Sequence, residues 1–402
     1  MYIFVAWLVI FFIAGLYDKY RSFLKDSVSS NIFNAQLVNS GIAIAFFYLI
    51  PYFGITPKTI LFINLIITFF LIYAWRIYIH SVLGLKKKEP AIIIGSGEEM
   101  NSILKEIDEN PRSELKFVLD IDLDKEDGTS YINNVIQKIK NDLISVVVID
   151  LKDKRIEPIL PILYGQLFAG VKFIDMDKVY ENVFDRVPLS FLQYDWFLEN
   201  ISFRHDFAYV YLKRFFDIIT SLVILIILIP IFPIVAIAII IDTKNTKVLI
   251  SQNRVGEAGK IVKIYKFLTM LFDDGGNAEL KKKNKLTIVG KLLRKTRLDE
   301  LPQAWNVING DLSLIGPRPE LPLFVDIYEK EIPYYNIRHI VKPGLSGWAQ
   351  ICQENPPKGG VNFSDTKTKL SYDLYYLKNK SLILDLQIGL KTIKTLISRK
   401  GK

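Results

Sequence analysis

The chain has 402 residues, 50% of them apolar, with a mean hydropathy of +0.24 and a formal net charge of +9. That length predicts two or three domains, and a basic, apolar chain predicts a membrane surface and anionic ligands; nucleic acid would explain the charge but not the apolar runs. The single cysteine, Cys352, excludes an internal disulfide and a multi-cysteine metal site, and His80, His205 and His339 are too far apart in sequence to suggest a histidine metal site.

Three apolar segments come first: Tyr2 to Tyr17, roughly Leu37 to Phe53, and roughly Ile60 to Trp75. Each is close to the lower limit of a spanning helix, about 17–25 residues. No basic stretch precedes the first, which argues against a signal peptide. The short link Gly54-Ile55-Thr56-Pro57-Lys58 predicts a helical hairpin. Lys19, Arg21 and Lys25, then Arg76 and Lys86-Lys87-Lys88, are the basic stretches that belong in the cytoplasm, with the N-terminus outside. Residues 1–80 are therefore expected to be about three transmembrane helices.

Residues 86–200 predict a small α/β spacer domain. Apolar strands at Ala91-Ile94, Leu115-Leu119, Ser145-Ile149 and Val171-Ile174 alternate with helical stretches, one of them near Tyr131-Lys140. That alternation implies a parallel, doubly wound sheet. Gly95-Ser96-Gly97 invites a dinucleotide reading, but the third glycine of G-x-G-x-x-G would stand at position 100, where there is Met100. A tight strand-to-helix turn is the favoured reading.

The third domain is expected over 209–402. Phe215 to Ile241 is long and apolar enough to cross a bilayer, but Pro230 and Pro233 interrupt it and its flanks are basic on both sides (Lys213, Arg214; Lys244, Lys247). Symmetric flanks predict a re-entrant helix-break-helix over 213–241, broken at Pro230, with a kinked spanning helix as the alternative. The remainder is mixed in character, and Leu382 to Ile397 reads as an amphipathic helix lying on a membrane or on the domain.

Leu298-Asp299-Glu300-Leu301-Pro302-Gln303 lies among Lys291, Arg294, Lys295 and Arg297. Paired acids ahead of a proline also mark a helix start. Inside a cationic patch, however, they suit phosphates and a divalent metal: carboxylates bind Mg²⁺, and Arg and Lys hold phosphate oxygens.

From Tyr211 to about Thr395 the chain resembles the bacterial sugar transferases, the monotopic polyprenyl-phosphate phosphoglycosyl transferases. The motifs run in order: Lys213-Arg214-Phe215-Phe216-Asp217; Gln252-Asn253-Arg254-Val255-Gly256; Lys266-Phe267-Leu268-Thr269-Met270; Ala278-Glu279; Gly290 to Arg297 into the hexamer; Trp305-Asn306-Val307; Gly310 to Glu320; and Pro343 to Gln350. Asp373, Tyr376, Asn379, Ser381, Asp385 and Leu386 resemble its C-terminal pattern. The first half resembles the long members, which carry a membrane bundle and a nucleotide-fold-like spacer; Tyr180-Glu181 and Arg186-Val187-Pro188 match the segment after it. Those members usually show four N-terminal helices, one more than is legible here.

The resemblance implies an α/β membrane protein with a mainly helical monotopic catalytic domain. It implies transfer of a sugar 1-phosphate from a UDP-sugar to polyprenyl phosphate at the cytoplasmic face, with release of UMP. Asp299 would be the nucleophile, and Glu300 would bind or orient Mg²⁺ together with Asp299. Arg318, stiffened by Pro317 and Pro319, would contact diphosphate or uridine; Lys266, Arg294 and Arg254 are further phosphate candidates, and Gln303 and Asp311 would orient the loop. Trp348 reads as core or interfacial anchor rather than ligand contact. Which UDP-sugar is used is not fixed, and a homo-oligomer is left open. Three departures stand out: Leu268 where arginine is usual, Lys285-Leu286-Thr287 for Arg-x-Thr, and Arg297 where serine is common. Leu268 supports the alternative of a weakened homologue that scaffolds a glycan-assembly complex. A nucleotide-dependent oxidoreductase built on the spacer is the other alternative, weakened by Met100.

Overall fold

The computed structural model describes residues 2–14, 25–49, 58–74, 88–110, 113–125, 131–141, 144–201, 207–244, 246–272, 284–353 and 361–397. The basic residues Lys19, Arg21, Arg76, Lys86 and Lys87, the 54–57 link, His205 and the Ala278-Glu279 motif lie outside them. Two compact units divide the chain, Met1–Phe191 and Leu192–Lys402.

In the first unit, α1 (Tyr2–Ile13), α2 (Lys25–Leu49) and α3 (Lys58–Ala74) pack in succession. The second begins well before Leu37, because Ile32, Ala35 and Ala43 are buried at helical spacing. Gln36 Nε2 donates to Thr68 Oγ1 at 3.1 Å, a polar tie between α2 and α3. Among the described residues only one helix is long and apolar enough to cross a membrane, and it is in the second unit.

The α/β part comprises β1 (Glu89–Gly95), α4 (Gly97–Glu109), β2 (Leu115–Asp122), α5 (Ile132–Asn141), β3 (Val146–Ile149), α6 (Leu160–Gln166), β4 (Lys172–Asp175) and α7 (Met176–Phe184). All strand pairings are parallel, in the order β2-β1-β3-β4. Both sheet faces are covered, which is why β1 and β3 read as unbroken apolar runs. Ala91 and Ile93 face Met100 and Ile103 of α4 and Met176 and Val179 of α7. Ile92 and Ile94 face Ile132, Val135 and Ile139 of α5 and Leu163 of α6. The doubly wound architecture expected from the sequence is present.

The second unit starts at Leu192, ahead of the expected boundary at 200. Here α8 (Tyr194–Asn200) packs with the C-terminal half: Lys378 Nζ lies 5.6 Å from the Trp196 ring centroid, and Phe197 and Tyr334 rings are 4.7 Å apart. Then comes α9 (Phe207–Thr243), a 37-residue helix with Pro230 and Pro233 inside it. The break predicted at Pro230 is absent, which corrects the helix-break-helix expectation. A proline removes one backbone donor and bends the axis without having to end the helix. The two prolines are one turn apart, so both missing donors fall on one side and the turns opposite stay bonded.

The rest is mostly helical, with two small sheets. An antiparallel hairpin, β5 (Leu249–Val255) and β6 (Ile261–Phe267), precedes α10 (Ile288–Thr296) and α11 (Gln303–Asn309). A short parallel pair, β7 (Ser313–Ile315) and β8 (Gly344–Ser346), brackets α12 (Pro322–Glu331). The chain closes with α13 (Trp348–Cys352), α14 (Phe363–Asn379) and α15 (Leu382–Ile397). Trp348 is core, clustered with Tyr376, Leu384 and Ile388, so α15 packs one face on the domain.

Candidate active site

Asp299 and Glu300 sit in a short 3₁₀ turn between α10 and α11. Both helices are fastened to α9. At its N-terminal end Arg214 donates to the carbonyls of Val307 (2.6 Å) and Ile308 (2.7 Å), capping the C-terminus of α11. At its other end Asp242 Oδ2 accepts from the Val289 N–H of α10 at 2.7 Å, beside the cap that Thr287 supplies to Gly290. Lys213 pairs with Asp385 at 2.7 Å, and Asp217 accepts from Ser313 Oγ at 2.8 Å, tying the same helix to α15 and β7. Gly290 lets α10 approach the chain after β6: a Cβ there would lie 1.9 Å from the Thr269 carbonyl oxygen. That contact brings Arg294 Nε to Thr269 Oγ1 at 3.0 Å.

The turn begins at Arg297, whose φ of +57° puts a non-glycine residue in the left-handed region. Asp299 is buried at 9% exposure, and its Oδ1 has no hydrogen-bond partner. Burial pushes its carboxyl up to about 6; Glu300 adds to the rise and Arg294 and Arg297 oppose it. Burial also disfavours the Glu300 anion, but Arg318, Arg297 and Lys266 outweigh it and hold Glu300 below the usual range. Arg318 Nη2 meets Glu300 Oε1 at 2.6 Å, and Arg297 Nη1 is 4.0 Å from the same oxygen.

The hairpin supplies the other cations. Gln252 Oε1 accepts from both Arg254 Nη2 (2.8 Å) and Lys266 Nζ (3.0 Å). Burial pulls the Lys266 ammonium down to about 8, helped by Arg254 and Arg294, while Glu300 and Asp299 work the other way. Thus Arg254, Lys266, Arg294, Arg297 and Arg318 converge on two carboxylates. An ensemble so rich in cations has room for further negative charge, as phosphates would provide.

The structure brings together six residues singled out from sequence: Asp299, Glu300, Arg318, Lys266, Arg294 and Arg254. Gln303 is buried at the first position of α11, and Asp311 Oδ2 meets Asn306 Nδ2 at 3.3 Å, stabilising the turn after α11. Pro230 is not among the six; its neighbours Ile229 and Phe232 line the same groove as Pro302, which follows the acids. Leu268 is a core residue, 1% exposed beside Val235, Ile239 and Leu293. Sequence reasoning gave no role to Gln252 or Arg338. A charged residue inside the apolar stretch Ile337-Arg338-His339-Ile340-Val341 was the available signal for the second. Among the described residues no cluster of three acidic, histidine or cysteine ligands exists. The donor set still fits Mg²⁺, which is commonly held by one or two carboxylates together with substrate phosphates and water, and the partnerless Asp299 Oδ1 is an available oxygen. Beside Pro302, an apolar groove of about 650 Å³ runs between α9 (Leu225, Phe232) and Leu249, Tyr265 and Trp305.

The family profile described as bacterial sugar transferase matches residues 208–399. Over 193 residues, 47% of this chain, the sequence is 38% identical to the uncharacterized sugar transferase EpsL of Bacillus subtilis (strain 168), covering 89% of that protein. The chain belongs to the bacterial sugar transferase family. Two further members match. One is the UDP-N-acetylgalactosamine-undecaprenyl-phosphate N-acetylgalactosaminephosphotransferase of Aeromonas hydrophila, 41% identical over 196 residues, 48% of this chain and 45% of that one. The other is the UDP-glucose:undecaprenyl-phosphate glucose-1-phosphate transferase of Klebsiella pneumoniae, 40% identical over 185 residues, 45% of this chain and 39% of that one. The match spans less than half the length of these two relatives.

Proposed function

We propose that this chain transfers a sugar 1-phosphate from a UDP-sugar to a polyprenyl phosphate and releases UMP. The partnerless, buried Asp299 Oδ1 inside a ring of cations carries the reading. The Asp299 carboxylate attacks the phosphorus that bears the sugar, the bond from that phosphorus to the UMP oxygen breaks, and a phosphosugar-aspartyl intermediate forms. An oxygen of the lipid phosphate then attacks the same phosphorus and returns Asp299. Arg318, Lys266, Arg254 and Arg294 hold the diphosphate oxygens, and catalysis rests on that positioning and charge stabilisation. Asp299 and Glu300 would hold Mg²⁺, which when bound neutralises charge on the diphosphate. Relatives named for different sugars match this chain about equally well, so the sugar is left open.

The setting proposed is the cytoplasmic face of a bacterial inner membrane, with residues 1–80 as membrane helices, 86–200 as spacer and 209–402 as catalytic domain. Arg214 and Asp242 lie about 42 Å apart along α9 at 1.5 Å per residue, yet both bind the same folded unit. That supports a helix embedded in the bilayer from one face rather than crossing it. Only 17% of its most apolar window is buried, leaving the rest for lipid. The groove at Pro302, lined without charged residues, suits hydrocarbon of the acceptor.

The test is to incubate the full chain in membranes with labelled UDP-sugars, Mg²⁺ and undecaprenyl phosphate. UMP release and a labelled lipid are expected, both lost in Asp299→Asn; activity retained in that variant refutes the assigned nucleophile.

A further inference from the structure

Pro317-Arg318-Pro319-Glu320 is held along its whole backbone. Two prolines fix φ and supply no N–H, so the segment's polar main-chain groups are mostly carbonyls. Each of the four carbonyls has its own donor. Gly344 N–H bonds the Pro317 oxygen at 3.0 Å and Val255 N–H bonds the Glu320 oxygen at 2.9 Å. Arg338 Nη2 donates to the Arg318 oxygen at 3.0 Å and Arg254 Nη1 to the Pro319 oxygen at 3.2 Å.

Of the two side-chain donors, Arg338 is the more enclosed, with a side chain 1% exposed. Its Nε donates to Asp373 Oδ2 at 3.0 Å, its Nη2 is 2.7 Å from the same oxygen, and its Nη1 donates to Tyr335 OH at 2.7 Å. Its Nη1 also lies 4.0 Å from Glu320 Oε1, which Lys369 pairs with directly. A buried pair of this kind is weak evidence for stability, because desolvation offsets much of the attraction. What this one does in geometric terms is grip the main chain of the residue whose guanidinium reaches Glu300.

We infer that Arg338 is a positioning residue for Arg318: anchored by Asp373 and Tyr335, it holds the Arg318 carbonyl and so aims that guanidinium at Glu300. This rests on the proposed reaction. Arg338 itself stays out of contact with substrate, being enclosed on all sides. A displacement near 1 Å in a diphosphate-binding group can cost on the order of 10²-fold in rate.

A double-mutant cycle tests it, on the full chain in lipid nanoparticles. The probe is whichever of UDP-glucose, UDP-galactose, UDP-N-acetylglucosamine and UDP-N-acetylgalactosamine is turned over fastest, with UMP release as readout. Arg338→Lys keeps the charge but not the fork. It is expected to lower kcat/KM about 10²-fold, and to lower it less than twofold further when Arg318 is already alanine. Where turnover is too slow to measure, the same cycle is read as affinity for UDP. Tyr335→Phe, a milder change, is expected to cost about threefold and to show the same cancellation. Full additivity in either cycle, or a smaller active fraction with unchanged KM, overturns the inference. The underlying reaction fails separately, if Arg318→Ala and Asp299→Asn leave UMP release intact.

Discussion

The spacer and the Asp299 turn each set carboxylates against arginine, and they differ in how fully the charges are matched. In the spacer, Arg155 sits over the Gly95-Ser96-Gly97 turn and bonds Ser96 Oγ (2.9 Å), Asp124 Oδ1 (2.9 Å), Asp153 Oδ2 (2.5 Å) and the Leu123 carbonyl (2.7 Å). At Gly95 a Cβ would lie 2.8 Å from Met176 Sδ, the movable end of a buried side chain. Met100, where a dinucleotide fingerprint needs glycine, is core at 2% exposure. Around Asp299 the opposite holds: five cations face two carboxylates, and one buried carboxylate oxygen has no partner. In the spacer Asp177 Oδ1 is also without a partner, but its neighbours are Asp150 and Asp175 with Lys152, so what sets the Asp299 site apart is the excess of cations around the unpaired oxygen.

The comparison breaks most directly at Asp299. Asp299→Asn should abolish UMP release, by at least about 10³-fold. It should also leave the fold intact or firmer. Because burial raises the Asp299 carboxyl to about 6, ionisation in the fold is penalised as pH rises from its ordinary 3.8 through 6. The amide should therefore gain on the order of 1–2 kcal/mol at pH 7.5, read by urea unfolding in detergent. A loss of stability would mean that the charge is well compensated after all.

A saturated network in the same unit should respond in reverse. Burial disfavours the Glu320 anion, but Lys369 and Arg338 hold its carboxyl down at about 2. Its contribution to stability is complete above the ordinary 4.5 and fades as pH falls through 2. Glu320→Gln should cost roughly 3–5 kcal/mol at neutral pH, because it leaves buried cations unpaired.

Titration sharpens the contrast further. If ionised Asp299 and protonated Lys266 are both required, kcat/KM should rise through about 6 and fall through about 8. Glu300→Gln removes the like charge and should move the acid limb down; Lys266→Arg should remove the basic limb. A flat profile between 5 and 9 would contradict this at about the tenfold level. Arg297→Ser should lower kcat/KM by about five- to tenfold, compared with an exposed arginine elsewhere, since Arg297 is half exposed and 4.0 Å from Glu300; equal effects would remove its role. The smallest effect is expected at Arg155→Gln: at most about 1 kcal/mol of stability, and unchanged turnover.

Much of this was legible in sequence where the chemistry is local. Strand runs buried on both faces announce a doubly wound sheet, and ordered motifs announce the acids and Arg318. What escaped depends on long-range packing. Asp373 pairs with Arg338 from 35 residues away, and no local period forecasts that. Leu268 looked like a missing charge, yet just past the end of β6 it is turned into the core against α9. Pro230 looked like a break because propensity is read residue by residue, whereas the turns around it and the packing of Phe232 on Phe267 carry the helix through.

The two caps that α9 supplies have a practical side for anyone engineering this protein. The obvious way to make a water-soluble version is to delete the greasy helix. Doing so would remove Arg214 and Asp242 with the hydrocarbon and strip the last carbonyls of α11 and an early N–H of α10 of their partners. The loop carrying both acids would then hang between two frayed helices. Solubility has to be sought by repainting the exposed apolar side of the helix, with the residues at its two ends left in place.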